Sequence, residues 1–241
     1  MKPVFLAAGR GRRFGKSLVP KPLLKIGGKT LMERSLDSVI NAGLKNPVIV
    51  LGHLGDKIKK YIREEYNGTE ISYAFNPHFL KTNTMHSLYC AKKFIDSDIL
   101  LLESDLIYEP LIIKKILEYE KKNFLVISNL TQSDDKVLVS SEDSLNITEI
   151  GKSIIRRMIV GEFIGISKLS KGYLEQIFNF FEEQYIKKDA TDYCENVFLN
   201  FSKKYKMPLS YLSIGNLSWS EIDTKEDVQR AEKVLEKILL N

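Results

Sequence analysis

Near the N-terminus, Arg10, Arg12, Arg13, Lys16 and Lys21 place five cations within a dozen residues. The segment is punctuated by Gly9 and Gly11 and closes on Pro20-Lys21-Pro22. Glycines let the backbone turn sharply and come close to a ligand. Backbone N–H groups at such a turn, ringed by Arg and Lys, suit a polyphosphate. A basic loop can also simply face solvent. Here the apolar run Val4-Phe5-Leu6-Ala7-Ala8 precedes it, and loops leaving buried α/β strands are where such folds take ligands. Two familiar glycine patterns are excluded. A dinucleotide fingerprint needs a third glycine where Phe14 stands. A P-loop needs a glycine five residues before Gly15-Lys16-Ser17, and Pro20 and Pro22 would break its helix.

A second group of residues is acidic. Asp98-Ile99-Leu100-Leu101-Leu102, the most apolar strand, runs straight into Glu103-Ser104-Asp105. Carboxylates at the C-terminal end of a buried parallel strand lie at the ligand edge of the sheet, and their hard oxygens suit Mg2+. Pro110 starts the next helix too late for Asp105 to cap it. Near the C-terminus stands Trp219-Ser220-Glu221-Ile222-Asp223-Thr224. Thr224 and Asp227 read as a capping-box-like helix start, which leaves Asp223 either structural or a ligand. Glu162 sits among apolar neighbours in the strand Ile159 to Ser167, where a carboxylate needs a partner. A Lys or Arg from the core edge could supply it. The polar run Lys81 to Ser87 caps a helix from about Thr84 to Phe94. His53, between Gly52 and Gly55, reads as a loop residue, since no other His or Cys has metal spacing with it.

The elements that must position these groups alternate. Thr30 and Glu33 form a capping box for a helix from Leu31 to about Ala42, stopped by Gly43. Pro47 to Leu51 is a strand, Asp56 to Tyr66 a helix, and Ile71 to Phe75 a strand. This β-α-β-α-β order predicts an α/β fold with a three-layer, Rossmann-like, mostly parallel sheet. A helix from Pro110 to Lys121 and a strand from Phe124 to Ser128 follow. Val137 to Val139 and Asn146 to Ile150 predict a small β insertion. Helices from Leu169 to Tyr185 and from about Asp192 to Lys204, a strand from Met207 to Ile214, and a last helix to Leu240 complete the chain. Phe178, Phe180 and Phe181 read as packing residues. No linker, repeat or low-complexity tract interrupts residues 1–241, so one domain is expected.

Composition agrees. Over 241 residues the chain is 44% hydrophobic, with 36 basic and 31 acidic residues and a net charge of +5. That mild, well-mixed bias suits small anionic substrates and does not call for nucleic acid. Cys90 and Cys194 lack metal spacing and read as reduced thiols of a cytoplasmic protein. A strand begins almost at the N-terminus, leaving no room for a signal peptide. No apolar run approaches the ~20 residues that span a bilayer.

Leu6-Ala7-Ala8-Gly9-x-Gly11, with Arg13 and then Pro20-Lys21, resembles the signature of nucleotidyltransferases that join an NTP to a phosphorylated small molecule. It departs at Arg12, where a small hydroxyl residue is usual. Asn83-x-x-x-Ser87-Leu88 resembles the segment bordering the nucleotide pocket in cytidylyltransferases acting on phosphocholine and aminoalkyl phosphonates. The sugar-phosphate branch has a Gly-Thr-Ala type segment there, which this chain lacks. Trp219 to Thr224 resembles the family's second metal motif. The resemblance implies nucleotide contacts at Leu6, Ala7, Ala8, Gly9, Arg10, Gly11, Asn83, Ser87 and Glu103. It implies Arg13 and Lys16 on the β- and γ-phosphates, Lys21 between the α-phosphate and the acceptor, and Mg2+ shared by Asp105 and Asp223. Glu162, Trp219 and Glu221 then offer carboxylates and an aromatic face to an ammonium-bearing acceptor. The acids of Asp192 to Asn196 resemble an acceptor-facing segment, and a solvated helix start explains them equally well. The implied reaction uses CTP and an amine-bearing phosphate or phosphonate, releases pyrophosphate, and belongs to cell-surface polysaccharide, phospholipid or phosphonate biosynthesis. Competing expectations are a sugar-1-phosphate enzyme using UTP or dTTP and a non-catalytic nucleotide sensor. A homodimer is compatible; nucleic-acid and membrane partners are not expected.

Overall fold

The apolar run ahead of the glycine loop forms β1 (Lys2–Ala7), hydrogen-bonded on both sides to parallel neighbours. A computed structural model describes residues 1–15, 18–131, 135–154, 158–185 and 191–240. After the loop comes a small hairpin, β2 (Lys25–Ile26) and β3 (Lys29–Thr30), turned through Gly27 and Gly28. There follow α1 (Leu31–Asn41), β4 (Val48–Leu51), α2 (Gly55–Ile62), β5 (Glu65–Tyr66), β6 (Thr69–Glu70), β7 (Ser72–Phe75) and α3 (Thr84–Cys90). The middle holds β8 (Ile99–Glu103), β9 (Leu106–Tyr108), α4 (Leu111–Glu118), β10 (Phe124–Ser128), β11 (Leu138–Ser140), β12 (Glu149–Gly151) and β13 (Ile159–Leu169). The chain ends with α5 (Lys171–Gln184), α6 (Cys194–Tyr205), β14 (Ser210–Ser213), β15 (Trp219–Glu221) and α7 (Lys225–Leu240).

The main sheet runs β12-β11-β13-β8-β1-β4-β7, with β10 pairing both β13 and β14. β8, β1, β4 and β7 are parallel, while β13 lies antiparallel to β8. Side chains alternate across a strand, so β1 feeds two cores. Val4 and Leu6 join Val48, Val50 and Leu101 beneath α3, α5 and α6. Phe5 and Ala7 join Ile49, Leu51, Leu100 and Leu102 beneath α1, α2 and α4. This is the expected three-layer α/β arrangement. The predicted capping box is present: Thr30 Oγ1 accepts from the Glu33 N–H, and Glu33 Oε2 from the Thr30 N–H. Phe178, Phe180 and Phe181 are buried in the first core.

Three local expectations are corrected. The helix expected to reach Tyr66 stops at Ile62, because Arg63 turns to positive φ and Asn67-Gly68, both at positive φ, make the turn between β5 and β6. Asn-Gly is the preferred pair for such a turn, which helical periodicity had masked. The helix after Asn83 ends at Cys90, with only a 3-10 turn at Lys92–Phe94 beyond it. Strand β9 was not foreseen. It pairs antiparallel with β15, and its Ile107 packs with Ile222 just beyond β15, with Ala231 and Leu235 of α7, and with Ile26. Among the described residues, no helix is long and apolar enough to cross a membrane.

Candidate active site

The glycine loop folds over the stem of Lys21. Gly11 has φ +58°, and a Cβ there would stand 3.0 Å from Lys21 Cε. Pro20 at φ −66° and buried Pro22 fix the chain on either side, so Lys21 opens a short 3-10 turn with its side chain aimed into the fold. Its Nζ lies 2.5 Å from Asp223 Oδ1 and 3.3 Å from Asp105 Oδ2. Burial opposes the Lys21 charge, but Asp105 and Asp223 together hold its pKa above the ordinary lysine value. Arg13 Nη2 reaches Asp223 Oδ2 at 2.8 Å, and Nη1 pairs with Asp135. Arg10 is exposed, in a neighbouring cleft with Phe14 and His53. His53 is a loop residue whose N–H donates to the Ala8 carbonyl. Lys16 lies outside the described residues.

The acids converge because β9 and β15 pair. Leu106 stands opposite Glu221, and the Ile222 N–H donates to the Asp105 carbonyl at 3.0 Å. Glu103 enters from the end of β8, in register with Leu6. Gly165 leaves it room, since a Cβ there would meet the Glu103 carboxylate at 3.2 Å. Glu103, Asp105 and Glu221 each offer an oxygen within 4.8 Å of the others. Burial, then mutual repulsion with Asp105, lifts Glu103 well above the carboxylate range and pushes Glu221 up to about 10. Burial raises Asp105 too, against the pull of Lys21. Asp223 alone is lowered: burial opposes its charge, but Lys21 and Arg13 outweigh it. Three close, under-compensated carboxylates of hard-oxygen type fit a divalent cation such as Mg2+. Asp223 adjoins this cluster, its side chain hydrogen-bonded to Glu221 as well as to Lys21. Its side chain is spared from capping α7, because Asp227 Oδ2 accepts from the backbone N–H groups of Asp223 and Thr224 and from the Thr224 hydroxyl.

A cleft of about 140 Å3 runs from Leu6, Ala7, Ala8, Gly9 and Gly11 past Lys21 to Asn83, Ser87, Glu103 and Asp105. It therefore gathers most of the expected nucleotide contacts. Asn76, Phe79 and Thr82 also line it and were missed: Asn76-Pro77 looked like a mere strand end, and Thr82 like a capping residue. A second cleft holds Arg13, Glu162, Trp219, Glu221 and Asp223. Glu162 is buried, and its carboxylate accepts from the Thr131 N–H at 3.0 Å, so among the described residues the partner found is a backbone group rather than a Lys or Arg side chain. Beside this cleft, Glu103, Tyr193, Glu195 and Glu221 share a further cavity. Glu195 is 6% exposed, which excludes a solvated helix start for it. Its Oε2 has no hydrogen-bond partner among the described residues, and burial pushes its pKa up to about 7. Cys194 is buried, and both cysteines are free.

Residues 3–149, more than half the chain, match the MobA-like NTP transferase domain. The chain is 35% identical over 118 residues to the CMP-5'-(3-aminopropyl)phosphonate synthase of Streptomyces rubellomurinus; the match covers 48% of this chain and 19% of that protein's length. It is 24% identical over 255 residues to the CTP:phosphoglutamine cytidylyltransferase of Campylobacter jejuni, covering 95% of this chain and 98% of the relative. The solved CTP:phosphocholine cytidylyltransferase of Streptococcus pneumoniae shares the fold, with a TM-score of 0.76 at 20% identity over 97% of this chain and 98% of the other. With a glycine loop laid over a lysine, an acid cluster at the ends of β8 and β15, and this family match, the chain belongs to the MobA-like NTP transferase family.

Proposed function

We propose that the protein transfers CMP from CTP to a small amine-bearing phosphate or phosphonate, with release of pyrophosphate. The observation that carries this is Lys21, held between Asp105 and Asp223 where the glycine loop meets the acid cluster. A single cation at that junction can reach both a triphosphate on the loop side and an anionic acceptor on the side of Glu221. An acceptor oxygen bonds to the α-phosphorus as the bond from that phosphorus to pyrophosphate breaks. A phosphate or phosphonate is already anionic at neutral pH, so no general base is needed. The residues need only align two anions and offset their charge. Arg13, with Lys16 and Arg10, would take the β- and γ-phosphates, and Lys21 would bridge the α-phosphate and the acceptor. Asp105, with Glu103, Glu221 and the adjoining Asp223, would hold Mg2+. When bound, the ion neutralises triphosphate charge and polarises the reacting phosphorus. Glu162, Trp219, Glu221 and Glu195 line the adjoining cavities and suit an ammonium group.

The test is pyrophosphate release with Mg2+, crossing the four NTPs against phosphoethanolamine, phosphocholine, aminoalkyl phosphonates, phosphoglutamine and hexose 1-phosphates. Turnover with CTP and an amine-bearing acceptor is expected. Turnover confined to UTP or dTTP with a hexose 1-phosphate would replace this reading by the sugar-nucleotide one. Tight NTP binding without release from any pair would leave a sensor.

A further inference from the structure

One wall of the nucleotide cleft is built around a single buried amide. Asn76 closes β7 with 1% of its surface exposed. Its Oδ1 accepts from the His78 N–H at 2.9 Å, which sets the orientation of the amide. Nδ2 must then face the other way, and it donates to Thr82 Oγ1 and to Ser87 Oγ, each at 3.0 Å. Thr82 passes its own proton to the His78 carbonyl at 2.9 Å, and Ser87 directs its proton at the Asn83 carbonyl at 3.4 Å. A hydroxyl has one proton and two lone pairs. In both residues the proton points to the backbone and one lone pair is taken by Asn76. Each therefore has one lone pair left. Both oxygens bond to the same nitrogen, so these two acceptors stand side by side, and both residues line the cleft. On the same rim, Asn83 Oδ1 accepts from the Thr84 N–H at 3.0 Å, which leaves its amide N–H groups as donors.

A pair of adjacent acceptors without a donor complements an –NH2 group, which has two protons to give, and repels a carbonyl oxygen. Cytosine carries such an amino group where uracil and thymine carry oxygen. We infer that Asn76 is a positioning residue for base choice: it holds Thr82 and Ser87 as paired acceptors for the exocyclic amino group of cytosine and so disfavours UTP. The inference rests on the assignment of this cleft to the nucleotide. It adds a residue whose effect is on selectivity rather than on overall rate.

The experiment compares wild type with Asn76→Leu, which keeps the approximate shape but frees both hydroxyls to rotate, and with Thr82→Val. The readouts are kcat/KM for CTP and for UTP with one amine-bearing acceptor, and calorimetric binding of each nucleotide without acceptor. Wild type is expected to favour CTP about 100-fold, and each variant to lower that ratio about tenfold, mainly by losing CTP. A merely structural role would lower both nucleotides alike and leave the ratio unchanged, which overturns the inference. So does a wild-type preference for UTP. If no acceptor turns over, the transfer reaction is refuted, yet the binding ratio still decides the base wall: equal CTP and UTP affinities in wild type overturn it, and a CTP preference lost in the variants upholds it. Should Asn76→Leu fail to fold, Thr82→Val carries the same test from a half-buried site.

Discussion

A lysine wedged between two carboxylates is held charged and nearly immobile. Asp105 and Asp223 orient the Lys21 ammonium, and the loop at Gly11 presses on its stem, so little rotamer entropy remains to be lost when substrate binds. Gly11 should therefore be as sensitive as Lys21 itself. Gly11→Ala places a Cβ at positive φ and 3.0 Å from Lys21 Cε. The backbone strain costs about 1 kcal/mol. The side chain of Lys21 can yield, but only by moving its ammonium. The expected outcome is a small fall in melting temperature with a loss of at least about tenfold in kcat/KM, since the proposed mechanism needs the Lys21 ammonium in place and mispositioning of such a group is costly. Unchanged kinetics at lowered stability would show that the loop does not set the Lys21 position.

Among the elements, the pairing of β9 with β15 carries the site, because it sets Glu221 beside Asp105 across a distance of more than a hundred residues in sequence. What holds β15 to α7 is Asp227. Its carboxylate gathers the N–H groups of Asp223 and Thr224 at 3.0 and 2.8 Å. Asp227→Ala leaves those donors unpaired and should cost about 1–2 kcal/mol in urea unfolding. It should also slow turnover, because the backbone bearing Asp223 loses its anchor. Asp227→Asn keeps an acceptor and should recover most of both. Loss of stability in Asp227→Ala with a wild-type rate would mean that Lys21 and Arg13 alone keep Asp223 in place.

At the scale of the whole molecule, two apolar cores sustain an acidic cluster at the sheet edge, and its electrostatics make folding depend on pH. Glu195 is the cleanest case. Burial pushes it up to about 7, against the opposing effects of its own backbone N–H and of Lys152. A carboxyl whose folded pKa lies above its unfolded value, about 4.3, favours folding when protonated. That stability is present at low pH and is lost as pH rises through about 7. The unfolding free energy of wild type should accordingly fall relative to Glu195→Gln between pH 5 and pH 8, by on the order of 3 kcal/mol. Parallel profiles for the two proteins would mean that Glu195 is ionised throughout in the folded state.

Much of this was legible in the residues alone. The capping box at Thr30 and Glu33, the apolar runs of β1, β4 and β8, and the glycine loop all obey local rules, in which a few consecutive side chains dictate backbone geometry. The family signature at Leu6 to Gly11 and the acids at Asp105 and Asp223 were visible for the same reason. The local fate of Arg63 to Glu70 was less so, because helical periodicity ran on through an Asn-Gly turn. The sequence by itself thus determined the α/β class, the alternation of the first strands and helices, and the basic glycine loop. Tertiary structure alone decided which carboxylates meet, that Glu195 is buried with its Oε2 unpartnered among the described residues, and that Asn76 orients two hydroxyls in the cleft. These are long-range pairings and desolvations. They depend on where strands far apart in the chain come to lie, and no local pattern of residue types encodes that position.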